Sequence, residues 1–321
     1  MTRRPRGIAL ITALLVVAIA TLAATALLSS TNIAIHRAAA LRDSEQAWWV
    51  ARGVESWVLG ILEKDRKESE YDGLGEDWAQ PVDYLPVDQG YVRGHVIDLQ
   101  SCFNLNNLVA HKPKTLEAEA TKKQFERLLA SLPADLQVPP GLVGAIIDWA
   151  DPDQTAGFPA GAEDSTYQAL DPPYRTADQR FTVVSELLAV QGMTPLLYDA
   201  LRDARNLVCA LPATIATTVN VNTADEVVLR ALAAVSATPI DENKFSTFLD
   251  GRQDQPVQTR AAIPGETGLP VDAFKYLDVG SRYFQIRGEV FVGSSRVGLY
   301  SLIHRPEAGT PTVLAHSADL E

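Results

Sequence analysis

No charged side chain occurs between Ile8 and Leu28, and nearly every residue there is apolar. A run of about 20 such residues suffices to cross the hydrocarbon core of a bilayer as a helix. Beyond it the pattern narrows to a stripe. Ala47, Trp48, Ala51, Val54, Val58, Leu59 and Leu62 recur at helical spacing, while Arg42, Glu45, Arg52 and Glu55 fill the opposite side. The pattern predicts a helix from Ile8 to about Lys64, on the order of 80 Å long at ~1.5 Å per residue. The alternative is a simple anchor followed by a separate helix.

Farther along, the period changes. Residues 71–90 are rich in Gly, Pro and Asp and read as a loop. Val92, Gly94 and Val96 then alternate with Arg93 and His95, as in a strand. Near the end, Phe284, Ile286, Val290 and Val292 alternate with Gln285, Arg287 and Glu289; a Gly293-Ser294-Ser295 turn follows, and Val297, Leu299 and Ile303 resume the alternation. This predicts a β-hairpin, with Pro311–Ala315 as a short edge strand. Between the two β regions the period is helical. Phe125, Leu128, Leu129 and Leu132 share one face of Lys122–Leu132; Gly141–Ala150 and Val183–Val190 also read as helices. Thr223-Ala-Asp-Glu226 has the form of a capping box before an apolar run to Leu232. The expected fold class is α+β: a long N-terminal transmembrane helix on an antiparallel sheet, interrupted by a large inserted all-α domain.

Arg3, Arg4 and Arg6 precede the apolar run. Basic residues hold their end of a span in the cytoplasm, which sends the remainder of the chain to the far side of the membrane. Ala24-Thr25-Ala26 could serve as the small-residue motif of an ordinary cleaved signal. The very short basic segment, ending in Gly7 directly before the apolar run, is instead similar to a pilin-type leader. That likeness implies processing by prepilin peptidase between Gly7 and Ile8, with the apolar helix retained. Ordinary pilins carry glutamate at the fifth mature position, where this chain has Thr12.

Composition removes several function classes. The 321 residues carry 28 Lys and Arg against 40 Asp and Glu, a net charge of −12. Such a surface repels phosphate backbones, and no nucleic-acid partner is expected. Cys102 and Cys209 are the two cysteines, so a four-cysteine zinc site is excluded. No GxSxG, HExxH, P-loop or dinucleotide-binding glycine pattern occurs, and no enzyme is expected.

The densest polar segment runs from Asp148 to Asp164. Asp151, Asp153, Glu163 and Asp164, with the carbonyls of a Gly- and Pro-containing loop between them, offer the oxygens that calcium requires. The loop is not an EF-hand, because Ala156 stands where that motif needs glycine. A solvated acidic loop is the plain alternative; a glycosidase pair lacks any accompanying sugar cleft. In an oxidising compartment Cys102 and Cys209 could bond across the helical region, or remain two buried thiols. Leu187–Leu201 around Gly192, and the segment from Asn220, resemble helix-hairpin-helix elements, which would suit a membrane-anchored DNA receptor. Here Asp199 and Asp203 stand beside Arg202 and Arg205, so the usual positive charge is not kept.

Several segments in order carry a more specific resemblance. They are the leader and helix, Cys102-Phe-Asn-Leu-Asn106, Asp148-Trp-Ala-Asp151, Ala162-Glu-Asp-Ser-Thr-Tyr167, Pro173-Tyr-Arg175, Ser185-Glu-Leu187, Val190-Gln-Gly-Met193, Ala210-Leu-Pro212 and Val219-Asn-Val-Asn-Thr223. Together they resemble the K-type minor pseudopilins of type II secretion systems, whose lack of the fifth-position glutamate agrees with Thr12. The resemblance implies a leader at 1–7, a helix at 8–64 with its membrane segment at 8–28, a first head segment at 65–110, a helical insertion at 111–275 and a C-terminal β-hairpin at 276–321. It also implies calcium in the acidic segment. The partners would be the I- and J-type minor pseudopilins, the pseudopilus, prepilin peptidase and the bacterial inner membrane, with the head in the periplasm. The function implied is capping or initiating the pseudopilus; the alternative is the DNA receptor.

Overall fold

A computed structural model describes residues 8–157, 160–202 and 205–317. Gly7, the expected cleavage residue, lies outside them. The first helix, α1, runs unbroken from Ile8 to Glu68, one turn past Lys64, and Arg66 and Lys67 sit in its last turn, where the helix dipole favours cations. Its first half has no protein cover: Leu10, Leu14, Leu22 and Leu27 are each more than 60% exposed. The hydroxyls of Thr12, Thr21, Thr25 and Ser30 donate back to carbonyls three residues earlier, and Thr31 to one four residues earlier. That is how polar side chains are satisfied where no water is available.

Beyond α1 come β1 (Val82–Val87) and β2 (Gly90–Asp98), an antiparallel pair. β1 lies inside the segment expected to be a loop. It is an edge strand with little buried surface, so it carries no clear alternation. The chain then leaves the sheet through β3 (Phe103–Asn104), α2 (Leu116–Ala130), α3 (Leu142–Ala150), α4 (Asp164–Tyr167), α5 (Pro195–Arg202), β4 (Val208–Cys209), β5 (Val219–Asn220), α6 (Glu226–Ala233), α7 (Glu242–Gly251), α8 (Ile263–Thr267) and β6 (Leu277–Asp278). It returns as β7 (Tyr283–Val292), β8 (Ser295–His304) and β9 (Thr312–Ser317). The sheet order is β1-β2-β7-β8-β9, antiparallel throughout. β2 and β7 are neighbours, so everything between them is an excursion that begins and ends at one place in the sheet.

Each part has its own core. In the head, Ala47, Ala51, Val58 and Leu62 of α1 pack on Val92, Phe284, Ile286, Val290, Val292, Leu299 and Ile303. The two alanines let helix and sheet approach closely, and each fully buried Val or Leu contributes about 1.5–3 kcal/mol. Two members of the expected amphipathic pattern behave otherwise. Trp48 is 45% exposed, whereas Glu55, expected on the polar side, is 3% exposed. Burial of Glu55 is offset by Ser301, by His316 Nδ1 at 2.7 Å and by Arg52 at 3.1 Å, which ties α1 to β8 and β9. At the hairpin turn, Asp43 of α1 accepts from the Ser294 N–H at 3.2 Å, and a side chain at Gly293 (φ +53°) would collide with that carboxylate.

The second core runs from Phe103 to Val279, wider than the expected 111–275, and centres on Phe125, Leu128, Ile146, Leu187, Leu197, Val228 and Phe245. It is mainly helical but not all-α. Two short parallel ladders, β3–β4 and β5–β6, tie its entry and exit strands together. Val184–Ala189 is a 3-10 helix rather than α. The capping box at Thr223–Glu226 does not form: Asp225 caps α6 by accepting from Val227 N at 2.8 Å, and the Thr223 hydroxyl is drawn to Asp98 instead. Cys102 and Cys209 are bonded beside the β3–β4 ladder, 107 residues apart. Closing a loop of that length stabilises by about 4–5 kcal/mol in the chain-entropy account.

Where the two parts meet lies a buried polar joint. Asp98 accepts from Gln100 N, Asn220 Nδ2, Thr223 Oγ1 and Ser281 Oγ at 2.5–3.0 Å. Asp72 binds Arg305 and the Ser281 N–H, and Asn220 donates to the Asp72 carbonyl.

Candidate metal centre

The acidic segment starts at the C-terminal end of α3, an apolar helix whose last turn delivers Asp148 inward and Asp151 to the rim. Asp148 is 2% exposed and accepts from Gly157 N at 3.0 Å, folding the loop back toward the helix. The return is tight: a Cβ at Gly161 would collide with Asp148 Oδ2 and with the Gly157 nitrogen. Glu163 follows, only 3% exposed, at the start of α4.

This loop brings one carboxylate oxygen each of Asp151, Asp153 and Glu163 within 4.8 Å of one another. Asp153 Oδ1 accepts from Thr155 N at 2.8 Å. By contrast, Asp151 Oδ1 and both oxygens of Glu163 are buried without any hydrogen-bond partner. Among the described residues no lysine, arginine or histidine forms an ion pair with any of the three. Burial, then Asp153 and Asp148, push Asp151 up to about 6. Burial, then Asp148 and Asp151, push Glu163 up to about 7. Buried carboxylates cost free energy unless something neutralises them. The donor set, all carboxylate oxygen, suits a hard divalent cation such as calcium.

Asp164, expected among the ligands, is elsewhere engaged. Its Oδ1 accepts from Thr176 N at 3.0 Å and Thr176 Oγ1 at 2.9 Å, and Gln168 reaches Oδ2 at 3.3 Å. Sequence reading missed Asp178. It lies close enough to raise Asp151 and Glu163 further and is held by Thr176 and Gln154. No spacing rule points to it, since it arrives from a separate loop.

A second carboxylate cluster, Asp65, Asp72 and Glu76, lies at the end of α1. There Arg305 lies 2.8 Å from Asp65 and 2.5 Å from Asp72.

One long helix, bare and apolar in its first half and packed on an antiparallel sheet in its second, is the architecture of a pilin-type subunit. The comparisons narrow this class. The family model described as type II secretion system (T2SS), protein K matches residues 101–213. Type II secretion system protein K of Pseudomonas aeruginosa is 34% identical over 328 residues, covering 98% of this chain and 93% of the relative. That of Aeromonas hydrophila is 32% identical, covering 94% of each. A chain in the crystal structure of the GspK-GspI-GspJ complex from the enterotoxigenic Escherichia coli type 2 secretion system superposes with a TM-score of 0.66 at 27% identity, over 86% of this chain and 97% of that one. The chain belongs to the type II secretion system protein K family, the K-type minor pseudopilins. That is a structural secretion component, and the DNA-receptor alternative is set aside.

Proposed function

We propose that this subunit caps or initiates the pseudopilus, anchored in the bacterial inner membrane with its head in the periplasm. The observation that carries the reading is the division of the chain. A bare apolar half-helix suited to lipid or a filament core continues into a head widened by an insertion with its own core. A head with that bulk blocks addition of another subunit above it. Thr12 fits, because a first subunit has no predecessor whose amine a glutamate would meet. Processing between Gly7 and Ile8 would free a chain that starts as helix. The GspK-GspI-GspJ relative supports the I- and J-type subunits as partners; packing through α1 would join them. Asp151, Asp153 and Glu163 would hold calcium, which supplies the positive charge their buried oxygens lack and pins the loop between α3 and α4. The test is the position of labelled subunit on isolated pseudopili. Label confined to one end is expected. Label along the shaft at the level of the major subunit would overturn the cap.

A further inference from the structure

The outer face of the sheet, opposite α1, does not face open solvent. The insertion overhangs it and leaves a cleft of about 850 Å³. Register assigns the floor in rows. Arg287 and Tyr300 are aligned across β7 and β8; Ile97, Gln285, Leu302 and Ala315 form the next row; Tyr283 and His304 form the third. The facing wall carries Arg180, Phe181 and Val183 of the insertion. The floor and wall therefore mix apolar side chains with cations.

The charge of the cleft runs against that of the molecule. The chain is −12 overall, yet Asp98 is the only carboxylate on the cleft lining among the described residues. Asp98 is already engaged by its four donors in the joint. Arg287 is half-buried, and its partners are uncharged: Gln285 Oε1 at 2.7 Å and Asn206 Oδ1 at 3.3 Å. Among the described residues Arg180 has only the carbonyls of Ala213 and Thr214, at 2.7 and 2.9 Å. Burial and the neighbouring charge of Arg202 hold Arg287 below the usual arginine range, and burial and Arg287 likewise lower His95. A second recess of about 570 Å³ shares Arg287 and adds His95 and Arg205, extending the same basic strip.

We propose that this cleft is a docking site for an extended acidic polypeptide segment of a partner protein. Its size exceeds what a single small anion needs. Its floor offers apolar contact between cations, and it is bordered by β9, the outermost strand of the sheet, with no strand on its far side among the described residues. An edge strand can pair with an incoming extended chain while its side chains are read by the cleft. The segment's carboxylates meet Arg287 and Arg180, which have no acidic partner within the described chain. Complementary charge of this kind sets partner choice as well as encounter rate. The inference concerns the sheet's outer face and does not depend on the filament position proposed above.

The test uses the full chain in detergent and a fluorescent heptapeptide of alternating glutamate and leucine, followed by anisotropy. Saturable binding is expected, weakening as salt rises and at least about tenfold tighter than that of the matching glutamine–leucine peptide. Arg287→Gln should lose about tenfold, while Arg287→Lys retains most of the affinity; thermal unfolding of each variant reports whether the fold is kept. No saturable binding, equal binding of the two peptides, or an unchanged affinity in Arg287→Gln would overturn the site. Full competition by inorganic phosphate at equal concentration would reduce it to a simple anion site and overturn the polypeptide assignment.

Discussion

Two clusters of three carboxylates stand in this molecule, and they differ in what fills them. At the end of α1, Arg305, with its side chain 2% exposed, reaches both Asp65 and Asp72. Glu76 there accepts from Gly73 N at 2.7 Å, Trp78 Nε1 at 3.0 Å and Ser69 Oγ at 3.1 Å. In the insertion, Asp151, Asp153 and Glu163 have no cationic partner among the described residues, and three of their buried oxygens have no hydrogen-bond partner there. The density of acids is the same, so density does not identify a cation site. The proposal of a cation rests on the unmatched oxygens instead. The first cluster is an ion-pair lock on Arg305 that joins helix, loop and C-terminal segment, although burial, with Glu76 and Asp72, still pushes Asp65 up to about 7; in the second, calcium is proposed to take the place that Arg305 holds in the first.

Breaking the lock should produce the largest change. Arg305→Met leaves the buried Asp72 and the half-buried Asp65 without their cation and should cost about 3–5 kcal/mol, read from urea unfolding of the full chain in detergent. Any calcium dependence of the insertion should survive in this variant, because the two clusters are in separate cores.

The joint between the parts gives the next effect, and its sign is fixed. Burial pushes Asp98 up to about 6, against the hydrogen bond from Thr223, with Asp72 adding to the rise. An unfolded aspartate titrates near ~3.9. The folded state therefore binds more protons between those values. The stability contributed by protonated Asp98 is fully present below about 4 and is lost as pH rises through about 6, for a total of roughly 3 kcal/mol. Asp98→Asn should flatten that part of the pH–stability curve. It should also lower stability overall, since an amide cannot accept from all four donors. A curve of unchanged slope in the variant would assign the pH dependence to other groups.

Much of this was legible in the residues because it rests on repetition. The apolar run of α1 and the β7–β8 hairpin announce themselves through period, and the clustering of acids between Asp148 and Asp164 marks the loop where three carboxylates converge. What escaped depends on distant partners. Glu55 looks like a surface residue until Ser301 and His316 arrive from the far end of the chain. Thr223 has the spacing of a cap, but a buried carboxylate 125 residues away competes for its hydroxyl. Asp164 and Glu163 are adjacent, yet the start of α4 turns one toward Thr176 and the other toward Asp151. β1 lies at an edge, where burial imposes no alternation. Arg305 follows a strand and carries no local sign that it fills a carboxylate cluster built from residues 65–76.

The most direct test of the contrast between the clusters is heat unfolding of the full chain with saturating calcium and with excess chelator. A ligand bound only to the folded state at about 100 times its Kd stabilises by about 2.7 kcal/mol, which for domains of this size raises Tm by roughly 5–10 °C. Chelation should remove that increment. The Asp151→Asn, Asp153→Asn double variant should show no difference between the two conditions, while Asp164→Asn should retain it. Identical unfolding of the wild-type chain in calcium and in chelator would contradict the account, as would a response lost in Asp164→Asn but kept in the double variant.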